Sequence, residues 1–194
     1  SCKTYEIKNR TSFSGKRKRS PFWYNHMEIV KESERLRIMA LSAEDLSLLI
    51  RDPAAFETKF QTKYEAEKLS AEQREIYSFM LPGLLLAEGE EFYFRTLYLL
   101  LEKEKNVIIG SVLFKDLPEN GTVEIGYETG IRHQNQGYMT EALPYFLMIA
   151  REHGAKTVIA EAAEDNLASK RVLRKSGFSL KKEEGSFACF EYFL

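Results

Sequence analysis

Apolar and polar positions change period several times along the 194 residues, and each change predicts an element. Across Arg35–Leu41, Leu36, Ile38 and Ala40 alternate with polar residues, a period of two that predicts a strand. Ser42 then precedes AEDLSLLI, with Glu44 and Asp45 in the first turn, which predicts a helix start. Asp52-Pro53 breaks that helix, and Pro53 can open the next. Residues 54–69 and 71–81 read as helical, with Pro82-Gly83 closing them. Phe92–Leu101 and Val107–Phe114 are apolar and β-rich, joined by the charged turn Glu102–Asn106. Glu119-Asn120-Gly121 turns into a third strand at Thr122, making an antiparallel meander.

From Val123 the pattern is VEIGYETG, a strand, followed by the polar turn Gly130–Gln136. The period then becomes helical, with Ala142, Leu143, Phe146, Leu147 and Ala150 on one face and a local kink expected at Pro144. His153-Gly154 stops that helix, Thr157–Ala162 is a short strand, and Asn166 opens LASKRVLRKS. Gly177 ends this helix, Phe178 starts a return, and Ser186–Leu194 alternates aromatics as a last strand. The order predicts an α/β fold, a mixed sheet with helices on both faces.

The junction at Gly137 carries candidate chemistry. A helix start presents unpaired N–H groups and the positive end of the dipole, which suits an anion, most often phosphate. Glycine there lets a ligand approach the backbone closely. Geometry alone favours a glycine that only makes the turn, since glycine at such junctions is routine.

Composition changes the picture at the amino end. The formal charge is −1 overall, but residues 1–26 hold seven basic residues against Glu6, so the arm is +6 and the body −7. We read residues 1–26 as a basic arm or tag-like extension and residues 27–194 as one domain. The cluster GKRKRS with Phe22, Trp23 and Tyr24 suits RNA contact in principle, but a solvated tail is the preferred reading over a nucleic-acid partner. Cys2 and Cys189 make no disulfide framework and fit no metal spacing, and Cys189 reads as a small buried residue. No apolar run approaches a membrane span and the arm lacks a signal-peptide core, so a cytoplasmic protein without a membrane or metal is expected.

Three blocks then give a specific resemblance. Gln134-Asn135-Gln136-Gly137-Tyr138-Met139, followed by Thr140-Glu141-Ala142, is similar to a Q/R-x-x-G-x-G/A phosphate loop. Glu124-Ile125-Gly126-Tyr127 precedes it, and Asn166, Ser169, Leu173, Gly177 and Phe178 follow as N-x-x-S…L-x-x-x-G-F. From Arg35 onward the chain resembles the GNAT N-acetyltransferase superfamily, in its ribosomal-protein N-terminal acetyltransferase-like branch. The resemblance implies a mostly antiparallel sheet with a central splay. It implies acetyl-CoA as co-substrate, its pyrophosphate on the amides of Gln134, Asn135, Gln136, Gly137, Tyr138, Met139 and Thr140. Tyr127, Glu128 and Thr129 would pair with the pantetheine arm at the splay, and Asn166 and Ser169 would bond the same arm. Without the family, Asn166 reads equally as a helix N-cap.

Two positions depart from the pattern. Met139 stands where the loop has a small residue and is expected to crowd the pyrophosphate. Leu173 stands where many members carry the tyrosine that protonates the departing thiolate. Amine attack on a thioester needs a neutral amine, a proton acceptor, a polarised carbonyl and a partner for sulfur. Glu128 is the first base candidate, before Glu161 and Glu124, and Glu124 and Glu128 share a strand face. Ser169 is the candidate thiolate partner, while His133 reads as a solvated turn residue. The expected activity is direct acetyl transfer in a ternary complex to a primary amine: a protein N-terminus, amino acid, polyamine or aminoglycoside. The acidic body favours a cationic acceptor. The alternatives are an acyl-CoA-binding regulatory module without turnover and an RNA- or ribosome-docking protein using the arm. A homodimer is compatible with the sequence.

Overall fold

In the computed structural model the described residues are 28–66 and 69–194; the basic arm lies outside them. In chain order they form β1 (Glu28–Glu32), β2 (Leu36–Ala40), α1 (Ala43–Arg51), α2 (Pro53–Phe60), β3 (Lys63–Tyr64), α3 (Ala71–Leu85), α4 (Phe92–Arg95) and β4 (Leu97–Glu102). Then come β5 (Val107–Phe114), β6 (Thr122–Thr129), α5 (Tyr138–Glu152), β7 (Thr157–Ala163), α6 (Leu167–Lys175), β8 (Ser179–Glu184) and β9 (Phe187–Phe193). The strands lie in the order β1-β2-β4-β5-β6-β7-β9-β8, with β3 beside β5. Only β6–β7 and β3–β5 are parallel. None of the described helices is long and apolar enough to cross a membrane.

Period-two alternation sends successive side chains to opposite faces and so builds two cores. Leu36, Ile38 and Ala40 of β2 and Tyr98 and Leu100 of β4 pack with Phe146 of α5. Met39, Leu41, Leu97, Leu99 and Leu101 go the other way, onto Leu46 and Leu49 of α1 and Tyr77 and Leu84 of α3. Both faces are therefore covered. The predicted face of α5 is buried throughout: Ala142, Leu143, Phe146 and Ala150 have no exposed surface and Leu147 little. Ser42 caps α1 by accepting from the Asp45 N–H, and Cys189 is buried as expected.

The sheet opens at its centre. Ile125–Thr129 of β6 pairs with Gly110–Phe114 of β5. Toward β7, β6 pairs only over Thr122–Glu124, opposite Thr157–Ile159. Beyond Glu124, β7 stays with β9 as far as Ala163 opposite Phe187, so the carboxyl end of β6 is left with one neighbour. This is the expected splay.

Several expectations are corrected. The helix read over 54–69 ends at Phe60, where Gln61 takes a left-handed conformation (φ 51°), and the chain forms β3. Pro82-Gly83 does not close α3, which runs to Leu85. Proline removes one donor, but the helix is anchored by a full capping box at Ser70 and Gln73. Phe92–Arg95 is a helical turn, and its strand begins only at Leu97; Thr96 ends the turn by returning its N–H to the Phe92 carbonyl. α5 runs through Pro144 as one helix, Tyr138–Glu152. β1 was not foreseen, because its two apolar residues, Ile29 and Val30, are adjacent and do not alternate.

Candidate active site

The open end of β6, the loop that follows it and the start of α6 enclose a groove of about 400 Å³. Tyr127, Glu128, Thr129, Gln134, Asn135, Gly137, Tyr138, Met139, Thr140, Asn166 and Ser169 all line it. Of the residues assigned to acetyl-CoA from the sequence, only Gln136 is missing from the lining, and it belongs to the same loop.

The loop is shaped by backbone conformation. Asn135 (φ 60°) and Gly137 (φ 80°) are both left-handed. Such residues turn successive N–H groups into a shared concavity that suits an anion. Gly137 is also the residue just before α5, and no side chain caps it, so the first N–H groups of the helix are left for a ligand. Gln134 fixes the loop's start by donating from Nε2 to the Thr129 carbonyl at 3.0 Å. Gln136 donates to the Arg132 carbonyl at 2.9 Å.

A second clamp lies on the far side of the loop. Arg35 donates from Nη1 to the Gln136 carbonyl at 3.1 Å and lies over the Tyr138 ring, 4.3 Å from its centre. Its Nε and Nη2 hold Glu141 Oε2 at 2.7 and 2.6 Å. Glu141 Oε1 accepts from Ser33 Oγ at 2.6 Å and from the Arg35 N–H at 3.0 Å. Burial pushes the Glu141 carboxyl up, but the hydrogen bonds from Ser33 and Arg35 and the Arg35 charge outweigh it. The carboxyl is held below its ordinary value.

Met139 does not crowd the loop. The residue is 5% exposed and packs into the core with Leu143 and Phe146, although it is also among the residues that line the groove. His133 is likewise not a solvated turn residue. It is buried, and its Nε2 lies 2.8 Å from Glu65 Oε2. The segment after β3 reaches it because Gly130 has no Cβ; one there would come within 2.2 Å of the Glu65 carbonyl oxygen.

Glu128 and Tyr127 leave β6 on opposite faces. Glu128 points toward α3, where its Oε1 accepts from Ser111 Oγ at 3.0 Å and Tyr77 Oη at 3.2 Å. Gln73 donates to its other oxygen. Burial, and then the charge of Glu128, raise the Tyr77 hydroxyl far above its ordinary value, so Tyr77 is a permanent donor. Of the other base candidates, Glu124 pairs with Lys115, and Glu161 lies on β7 opposite Cys189; neither lines the groove. Tyr127 points toward α6, its hydroxyl 2.8 Å from Ser169 Oγ. Asn166 caps α6, its Oδ1 accepting from the Ser169 N–H at 3.0 Å. Leu173 has no exposed surface and sits in the core.

A family model described as an acetyltransferase (GNAT) domain matches residues 35–179, well over half of the chain. The chain belongs to the GNAT acetyltransferase family. Over 98 residues it is 31% identical to a Bacillus subtilis (strain 168) protein, the uncharacterized N-acetyltransferase YjdG. That match covers 49% of this chain and 58% of the relative's length. Among solved structures, the fold is similar to the ribosomal-protein-S5-alanine acetyltransferase from Vibrio fischeri. The TM-score is 0.60 at 16% identity, over 84% of this chain and 95% of that one. RimL, a ribosomal L7/L12 alpha-N-protein acetyltransferase solved with coenzyme A, gives a TM-score of 0.60 at 19% identity, over 86% and 98%. The putative acetyltransferase yncA from Salmonella typhimurium, solved with acetyl-CoA, gives 0.54 at 15%, over 82% and 94%.

Reading this GNAT domain from its sequence missed three groups at the site. Arg35 and Ser33 are clamped to Glu141 across more than a hundred residues, a contact no local pattern carries. Gln73 and Tyr77 belong to α3, the least regular segment of the sequence. The Tyr127 side chain was within reach of the alternation, which puts it on the face opposite Glu128, with Val123 and Ile125.

Proposed function

We propose that this chain transfers the acetyl group of acetyl-CoA to a primary amine by direct attack in a ternary complex. The observation that carries the proposal is the splay with a carboxylate on one face of its open strand and a hydroxyl pair on the other. Acetyl-CoA would lie with its pyrophosphate on the 134–140 loop and its pantetheine amides against the unpaired edge of β6. Open backbone groups there need partners, and those amides supply them.

Glu128 faces the acceptor side. Ser111, Tyr77 and Gln73 fix its orientation, which leaves it placed to receive the amine proton directly or through water. The amine nitrogen bonds to the acetyl carbon, the carbon–sulfur bond breaks, and the electron pair stays on sulfur beside Ser169. Holding amine and thioester together supplies a large share of the rate enhancement. No acid is available from Leu173, so charge on sulfur is stabilised by hydrogen bonding.

The acidic body favours a cationic acceptor. A polyamine and an aminoglycoside meet that condition, a protein N-terminus meets it through its α-ammonium, and an amino acid, a net-neutral zwitterion, meets it least. The test is CoA thiol release from acetyl-CoA against a panel of these amines. Release with at least one acceptor class supports the proposal. Tight acetyl-CoA binding without release from any would favour the regulatory-module reading, for which the absence of a tyrosine at position 173 is the argument.

A further inference from the structure

We infer that Tyr127 is a positioning residue for Ser169: its hydroxyl donates to Ser169 Oγ and directs the serine's own proton at the departing sulfur. The inference rests on the proposed acetyl-CoA reading of the groove. Three observations support it. The two hydroxyl oxygens are 2.8 Å apart, and both residues line the groove. The pair bridges the splay, joining open β6 to α6 where the sheet itself makes no bond. Leu173, one helical turn beyond Ser169, is buried and apolar, so that position offers sulfur no donor.

The direction of the Tyr127–Ser169 bond follows from competition. A helical serine left alone turns its proton back onto a carbonyl of the preceding turn. When a neighbour donates to its oxygen, that proton is released to point elsewhere. Burial raises the Tyr127 hydroxyl above its ordinary value, although the Ser169 bond pulls the other way. The phenol therefore stays protonated where a thiol ionises, at about 8.5 for an unperturbed one. It keeps its proton, and the acceptors within its reach, Ser169 Oγ at 2.8 Å and the Ser169 carbonyl at 3.5 Å, both belong to Ser169; the shorter contact is taken as the bond. In balance, the sulfur keeps the electron pair of the broken bond and accepts the Ser169 hydrogen bond. Water protonates it as CoA leaves, and both hydroxyls end as they began.

The test needs no acceptor. CoA itself is bound, and its thiol is titrated by thiolate absorbance as a difference against CoA-free protein, in wild type, Tyr127→Phe, Ser169→Ala and the double variant. Arg171 and Lys175 line the groove in all four, so their charges cancel from the comparison. Ser169→Ala should raise the bound thiol's pKa by about one unit and Tyr127→Phe by about half a unit, the size of one neutral hydrogen bond. The double variant should match Ser169→Ala, because Tyr127 acts only through Ser169. Tyr127→Phe also deletes one neutral hydrogen bond between β6 and α6 and should lower the melting temperature slightly; a purely structural role would show that loss with the bound thiol titrating as in wild type. A Tyr127→Phe thiol that titrates like wild type, or a double variant showing the sum of the two shifts, would overturn the inference alone. Failure of CoA to bind the wild-type chain would overturn the groove reading as well.

Discussion

The two halves of β6 have the same alternating sequence and opposite surroundings. Thr122–Glu124 is held on both edges, by β5's turn through the Lys115 N–H and by β7 in parallel register. There Val123 is 2% exposed, and Glu124 pairs with a neighbouring lysine. Tyr127–Thr129 is held on one edge only, and its side chains face a groove. The closed half spends its backbone on the sheet and its side chains on the core. The open half leaves backbone groups for a ligand, and its polar side chains are held by other elements: α3 around Glu128, α6 around Tyr127. The side chains of the open half are thus fixed by neighbouring helices while its backbone edge stays open.

If that contrast is right, substitutions in the two halves should separate activity from stability. Glu128→Gln in the open half should lower kcat with an amine acceptor by at least about a hundredfold, the floor for a proton-transfer group. Acetyl-CoA affinity and melting temperature should hardly change. Steady-state kinetics with calorimetry checks this, and a wild-type kcat would remove Glu128 from the mechanism. Val123→Ala in the closed half should do the reverse. It deletes buried apolar surface worth about 2 kcal/mol and should lower stability by that amount in denaturant titrations, with kcat intact.

A third substitution tests the bracing of the loop rather than the strand. Glu141→Gln keeps the shape but removes the charge that Arg35 and Ser33 hold. It should cost about 1–2 kcal/mol, discounted because Arg35 is partly exposed, and weaken acetyl-CoA binding severalfold. The folded pKa of Glu141 is depressed, so its contribution is present above the unfolded value of about 4.3. It is lost as pH falls through the folded value. Wild type and variant should therefore converge in stability in that acidic window and diverge above it. Parallel curves across that window would contradict the assignment.

The contrast within β6 also explains what could be read from the sequence. The strand, the loop, α5 and α6 are local patterns: alternation, a glycine at a helix start, an amphipathic face, an asparagine cap. Their positions held to within a residue or so, and the resemblance carried the splay with them. What failed was nonlocal or had no period. β3 exists because Val107 and Ile108 offer an edge beyond the end of β6, and nothing in Lys63-Tyr64 announces it. His133 looked solvated because its turn is polar, yet a glycine three residues earlier lets the Glu65 segment cover it. Met139 looked obstructive because the loop pattern specifies a small residue there. The helical turn buries it in the core instead, with Leu143 and Phe146.

The central claim is that the loop from Gln134 to Thr140 holds the pyrophosphate of acetyl-CoA, and Gly137→Asp tests it most directly. The substitution puts a carboxylate at the proposed anion site, in a left-handed conformation that aspartate tolerates better than most residues. The nearest atom to a Cβ there is Arg35 Nη2 at 3.7 Å, so the fold has room for it. Isothermal calorimetry with acetyl-CoA should find binding to the wild-type chain and at least tenfold weaker binding to the variant, about 1.4 kcal/mol. The variant's melting temperature should stay close to wild type. Equal affinity in the two proteins would contradict the account.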